Sequence, residues 1–116
     1  DIDKTLKFFL KKKYGNLVSG SIARKNPFFN QVMYKGKYLD LVCNSKKIIV
    51  RRQNAPIVYD LNASIYIWRR KNLMQSKKLI TRKTTLFKMP YIKSIDIDDQ
   101  FDFDIVKFIL KKNLNK

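Results

Sequence analysis

Apolar residues in the chain recur at two different spacings, and the spacing changes mark the elements. Ile2, Leu6, Phe9 and Leu10 fall on one helical face, so the first residues read as a helix. Asp1 or Asp3 can cap it, and it should stop near Tyr14-Gly15. Leu17 to Ala23 reads as a strand, in which Ser19, Gly20 and Ser21 leave room for a close neighbour. Asn26-Pro27 breaks the chain. Phe29 to Tyr34 and Tyr38 to Val42 flank Lys35-Gly36-Lys37, a hairpin pattern. Lys46 to Arg51 reads as a third short strand, and Pro56 opens another extended run to Leu61. The clearest strand is Ser64-Ile65-Tyr66-Ile67-Trp68. Arg69 to Gln75 can form one or two helical turns, and Thr84 to Met89 is extended until Pro90 stops it. Phe101, Ile105, Phe108 and Ile109, joined by Val106 and Leu110, form the stripe of a last helix. Lys111-Lys112 near its end suit the helix dipole.

This order predicts an α/β fold with a β-rich excursion from about Phe28 to Leu61. At 116 residues with 45% apolar content the chain suffices for one domain with a core. A helix, one strand and then hairpins make a poor complete α/β sheet, so residues 1–116 are expected to be the C-terminal portion of a larger domain. No apolar run approaches the roughly 18 to 20 residues of a membrane span. The start, Asp1-Ile2-Asp3, is acidic and unlike a signal peptide. The single Cys43 excludes an internal disulfide and suits a reducing cytoplasm.

Composition narrows the chemistry. With no His and one Cys, an imidazole base, a His-bound zinc and a structural Cys zinc site are all excluded. Asp, Lys, Arg, Tyr and backbone remain, a set that suits magnesium-assisted phosphoryl or nucleotidyl chemistry. The net charge of +17 raises nucleic acid as a partner. Most of that charge is Lys in scattered clusters, however, and Arg, the better reader of bases and phosphates, is sparse.

The acidic residues are less evenly spread. Five of the nine lie between Asp96 and Asp104. In Ser94-Ile95-Asp96-Ile97-Asp98 the alternation would put Asp96 and Asp98 on one side of an extended segment. Two carboxylates on one face are costly without a cation between them, which makes the pair a candidate metal site. Capping accounts for the remainder: Asp99, Asp102 and Asp104 suit the start of the last helix. Without further information Asn62 reads as a strand-end turn residue, Tyr66 as core with its hydroxyl at the surface, and Arg51-Arg52 as a solvated pair.

Three islands in order change that balance: Arg52-Gln53-Asn54-Ala55-Pro56 with Tyr59, then Asn62-Ala63-Ser64-Ile65-Tyr66-Ile67-Trp68, then Met89-Pro90 followed by Ser94 to Asp98 and Asp102-Phe103. From about Asn26 to Leu110 the chain resembles the C-terminal half of the acylneuraminate cytidylyltransferases, the CMP-sialic acid synthetases and their legionaminic and pseudaminic relatives. The resemblance implies a partial Rossmann-like nucleotidyltransferase fold whose β-rich insertion, about residues 28–61, serves homodimerisation. It implies transfer of CMP from CTP to a nonulosonic acid such as N-acetylneuraminic or legionaminic acid, with release of pyrophosphate. Under it Asp96 and Asp98 hold Mg²⁺, Arg52 meets phosphate or sugar carboxylate, and Gln53, Asn62 and Tyr66 line the sugar pocket. The family's Gly-, Arg- and Lys-rich triphosphate loop has no counterpart in these residues. Phe29 stands where some members place Lys, and Leu79-Ile80 where they present an aromatic pair. The Ala63-Ser64 form of the second island is closer to the legionaminic branch. Two other readings compete: a small basic nucleic-acid-binding module, opposed by the Asp cluster, and an inactive relic of the transferase.

Overall fold

The computed structural model describes residues 1–114 and forms two compact units, one of Asp1–Ser21 with the chain from Leu61 onward, the other of Ile22–Asp60. In the first unit, helix α1 (Ile2–Leu10) leads into strand β1 (Asn16–Ile22). Strand β5 (Thr84–Lys88) lies parallel to β1, with Asn16 opposite Thr84 and Gly20 opposite Lys88. Strand β4 (Tyr59–Trp68) flanks the other side of β1, giving the order β4-β1-β5. A short helix α2 (Arg70–Gln75) follows β4, and α3 (Gln100–Leu114) follows β5. The expected α/β arrangement with a parallel pair is therefore present.

The core is small and centred on β1. Residues Asn16 to Ser21 are all buried, and Leu17 and Ser19 are fully so. A strand covered on both faces should be uniformly apolar, yet Asn16, Ser19 and Ser21 are polar and buried. The small serines admit close neighbours, as expected from the sequence. No buried side-chain polar atom lacks a hydrogen-bond partner among the described residues, so each offsets its desolvation.

Each long helix turns inward only part of the stripe that its apolar spacing predicts. In α1 the buried residues are Thr5 and Phe9, one turn apart, while Ile2, Leu6 and Leu10 are exposed. The cause is aromatic packing. Phe8 meets Phe87 of β5 edge-on at 6.0 Å between centroids and stacks near Tyr14, and the Arg69 guanidinium sits 5.3 Å over the Phe9 ring. Asp1 stands at the N-cap without a side-chain capping bond. Its carboxylate instead pairs with Lys93 Nζ at 2.8 Å, and its carbonyl accepts the Thr5 hydroxyl. In α3 the half-buried positions are Asp102, Ile105, Val106 and Ile109, spaced i, i+3, i+4, i+7. Phe101 and Phe108, expected inside, are exposed.

β4 is a single strand where two extended runs were expected. It passes through Ala63, whose φ of 51° is the left-handed conformation, costing a residue with a Cβ about 1–2 kcal/mol.

The second unit holds the expected hairpin. β2 (Val32–Lys35) pairs antiparallel with β3 (Tyr38–Leu41), and Gly36 takes the positive φ of 66° that the turn requires. Lys35 Nζ closes the hairpin on Asp40 at 2.7 Å. That bond, with those from the Asn44 amide and the Leu41 N–H, holds the Asp40 carboxyl below its usual range. Lys46 to Arg51 forms no strand. No neighbouring strand offers it a ladder among the described residues, and Ile48 is 94% exposed. Arg52–Asn54 is one 3-10 turn.

Charge is sorted along the first unit. Bonds from Arg69 to Tyr14 and Lys12 carbonyls, from Gly15 to Lys83, and from Asn16 to Leu79 bring three segments to one end of the sheet. Lys11–Lys13, Arg69–Lys71, Lys77, Lys78, Arg82 and Lys83 lie on those segments, which carry no carboxylate. Asp1 meets Lys93 beyond the other end of β5, where the run Asp96 to Asp104 follows. No described helix is long and apolar enough to cross a membrane.

Candidate substrate and metal site

Beyond β5, Pro90 ends the strand and Tyr91–Lys93 makes one 3-10 turn. Residues 94–98 then run to α3 without regular structure. Asp96 and Asp98 are both exposed on this segment. Asp96 Oδ1 accepts the neighbouring Ile97 N–H at 3.2 Å, and neither carboxylate is ion-paired among the described residues. No group of three or more acidic or Cys ligands gathers there. Both carboxylates are hard oxygen donors, the kind of group that a divalent cation takes as a ligand.

The rest of the Asp cluster starts the helix. Asp99 Oδ1 accepts the Asp102 N–H at 2.9 Å, the bond of an N-cap side chain. Asp102 Oδ2 reaches back to the Asp98 N–H at 3.2 Å, and Gln100 Nε2 donates to Asp104. These bonds fix the end of the 94–98 segment without using the Asp98 carboxylate.

The start of that segment is fixed by Asn62. Its Nδ2 donates to Ser94 Oγ at 2.8 Å and lies 3.4 Å from Met89 Sδ. Its Oδ1 accepts the Ser19 hydroxyl at 2.6 Å. Ser19 Oγ in turn accepts the Ile65 N–H at 2.9 Å, and Ser94 Oγ donates to Pro90 O at 3.1 Å. β1, β4 and the loop after β5 thus share one set of hydrogen bonds. Sequence reasoning did not single out Ser19 for this purpose. Its signal was the Ser-Gly-Ser run in a strand that also reads as buried. Tyr66, also on β4, is 43% exposed.

Arg52 and Gln53 belong to the other unit, on its 3-10 turn, and both are exposed. With Ala23, Asn26 and Pro56 they border a cavity of about 150 Å³. Arg52 Nη2 donates to Arg24 O at 2.9 Å, and Asn26 Nδ2 to Pro56 O at 2.8 Å. A guanidinium anchored by one of its donors, at the edge of a cavity, suits a carboxylate or phosphate oxygen.

The chain is 38% identical over 116 residues to post-translational flagellin modification protein B of Campylobacter coli, covering 98% of this chain and 48% of that protein. It is 38% identical over 100 residues to the CMP-N,N'-diacetyllegionaminic acid synthase of Campylobacter jejuni, covering 85% of this chain and 42% of that enzyme. The chain is homologous to part of the acylneuraminate cytidylyltransferases. A more distant member, the N-acylneuraminate cytidylyltransferase of Streptococcus agalactiae serotype III, is 28% identical over 103 residues, 88% of this chain and 24% of that enzyme. No family model matches the chain. The chain spans about half the length of the first two relatives. The resemblance read from the three islands and these similarities agree on the family.

Proposed function

We propose that these 116 residues are the C-terminal portion of a cytoplasmic, Mg²⁺-dependent cytidylyltransferase that joins CMP from CTP to a nonulosonic acid. The observation that carries this is the 38% identity, over 85% of the chain, to an enzyme named for CMP-diacetyllegionaminic acid synthesis. In the reaction the anomeric hydroxyl oxygen of the sugar acid forms a bond to the α-phosphorus and releases its proton to solvent. The bond to the departing pyrophosphate breaks. Asp96 and Asp98 would hold the cation, which when bound would lower the pKa of a hydroxyl near it and offset phosphate charge. Tyr66 offers a phenol to the sugar. Arg52 and Gln53, in their own unit, offer donors to a carboxylate or phosphate. The hairpin unit serves homodimerisation: Val32, Tyr34, Tyr38 and Leu39 are all more than half exposed, a surface suited to burial against a second copy.

The test uses the full-length protein that contains this chain. Pyrophosphate release is expected with CTP, Mg²⁺ and N-acetylneuraminic or diacetyllegionaminic acid, and not when any one is left out. Asp98→Asn is expected to lower turnover by about a hundredfold or more. Turnover within a few-fold of wild type would remove the metal role, and no release with either sugar acid would remove the activity. The 116 residues alone, without a triphosphate loop, are expected to release none.

A further inference from the structure

Family resemblance gave Asn62 a place in the sugar pocket, but its amide is already committed. A primary amide has two N–H donors and one oxygen with two acceptor positions. Nδ2 is directed to Ser94 Oγ at 2.8 Å and to Met89 Sδ at 3.4 Å. Oδ1 receives the Ser19 hydroxyl at 2.6 Å and the Ser64 N–H at 3.3 Å. The amide cannot be turned over, because the Ser64 N–H would then face an NH₂ group. Its main partners are committed as well: Ser19 accepts from Ile65 N–H, and Ser94 donates to Pro90 O.

We infer that Asn62 is a positioning residue, which fixes the start of the Ser94–Asp98 segment on the buried strand β1 and so sets where Asp96 and Asp98 stand. Three observations converge on it. Ser19, the inner end of the connection, is fully buried on β1 and cannot yield. Ser94, the outer end, follows the 3-10 turn and lies two residues before Asp96. Ala63, immediately after Asn62, holds its left-handed φ of 51°, and the Ser64 N–H and hydroxyl both fold back onto Asn62 at 3.3 and 3.1 Å. A strained residue persists where its surroundings over-determine it. Here they do so at the point where one amide must reach a strand and a loop together.

This inference rests on the reading that Asp96 and Asp98 hold the cation, and the test separates the two. In the full-length protein, Ser94→Ala removes the acceptor for Asn62 Nδ2, whereas Ser94→Thr retains a hydroxyl. Amide hydrogen exchange over residues 94–98, referenced to the amides of β5, is followed together with Mn²⁺ affinity and steady-state kinetics. Ser94→Ala and Asn62→Ala are both expected to speed exchange over 94–98 about tenfold, the effect of one lost hydrogen bond. Both should weaken Mn²⁺ binding several-fold while KM for the sugar acid stays within about twofold, and Ser94→Thr should restore all three. A large rise in sugar KM for Asn62→Ala, with exchange and Mn²⁺ affinity unchanged, would overturn the inference and make Asn62 a ligand. If wild type binds no Mn²⁺, the cation reading falls, while the exchange data still decide whether Asn62 holds the segment.

Discussion

Asn16 offers the sharpest test of how the first unit is held together. Its side chain is 1% exposed, with Nδ2 donating to Leu79 O at 2.8 Å and Oδ1 accepting the Thr84 hydroxyl at 2.7 Å. Those bonds fasten the loop before β5 to the first residue of β1. Asn16→Asp keeps the shape and the Thr84 bond but sets an oxygen against the Leu79 carbonyl. A protonated carboxyl can still donate there; an ionised one cannot, and it is buried as well. Burial and the facing carbonyl both raise the folded-state pKa above the unfolded value of about 3.9.

The sign follows directly. Above the unfolded pKa the native variant binds more protons than the unfolded chain, so its stability falls as pH rises. The slope is about 1.4 kcal/mol per pH unit, and from about 3.9 to 7 it accumulates to a ceiling of about 4 kcal/mol. Urea unfolding of wild type and variant across pH 3.5 to 7 should show a difference within about 1 kcal/mol at the acid end, widening to about 2–4 kcal/mol at neutrality. Asn16→Leu should lose a similar amount at every pH, since both partners are left unsatisfied whatever the proton concentration. A difference for Asn16→Asp that is flat with pH, or that narrows as pH rises, would refute the account of Asn16 as a buried, doubly bonded side chain.

Two other perturbations are equally direct. The Asp40 carboxyl is held below its usual range, chiefly by Lys35, so the pair stabilises the β2–β3 hairpin above the ordinary carboxylate range and is lost as pH falls through the lower folded value. Amide-exchange protection in Val32–Lys35, corrected for the intrinsic pH dependence of exchange, should therefore fall at acid pH in wild type, and Asp40→Asn should abolish that fall. A Cβ at Gly15 would lie 2.7 Å from Asn72 Nδ2 and 3.1 Å from Lys83 Cβ, so Gly15→Ala should cost about 1–3 kcal/mol in a thermal melt. Adding Asn72→Ala should recover only part of that, because the Lys83 contact is not at the end of a flexible side chain.

Local features were legible in the sequence, and features set by distant partners were not. The Lys35-Gly36-Lys37 turn and the Asp99 cap each depend on residues within a few positions, and each formed where the pattern placed it. The inward faces of α1 and α3 were legible only in part: Phe9, Ile105, Val106 and Ile109 turn inward as their stripes predict, while Ile2, Leu6, Phe101 and Phe108 do not. Phe87, on a strand 79 positions after Phe8, decides which side is covered. Lys46–Arg51 has strand composition but no strand to pair with among the described residues. In the candidate site, the residue types at 96 and 98 could be read directly. The commitment of Asn62 could not, because its partners stand 43 and 32 positions away.

The separation of charge along the first unit has a kinetic consequence. One end of its sheet presents ten lysines and arginines with no carboxylate, while five aspartates follow β5 beyond the other. A polyanion diffusing toward this unit is drawn first to the basic end, whichever groups later hold it. Its arrival should therefore slow as salt shortens the Debye length to about 8 Å, whereas its departure is governed by short-range bonds that salt screens much less. Neutralising lysines and arginines of the basic segments should therefore slow arrival and flatten its salt dependence.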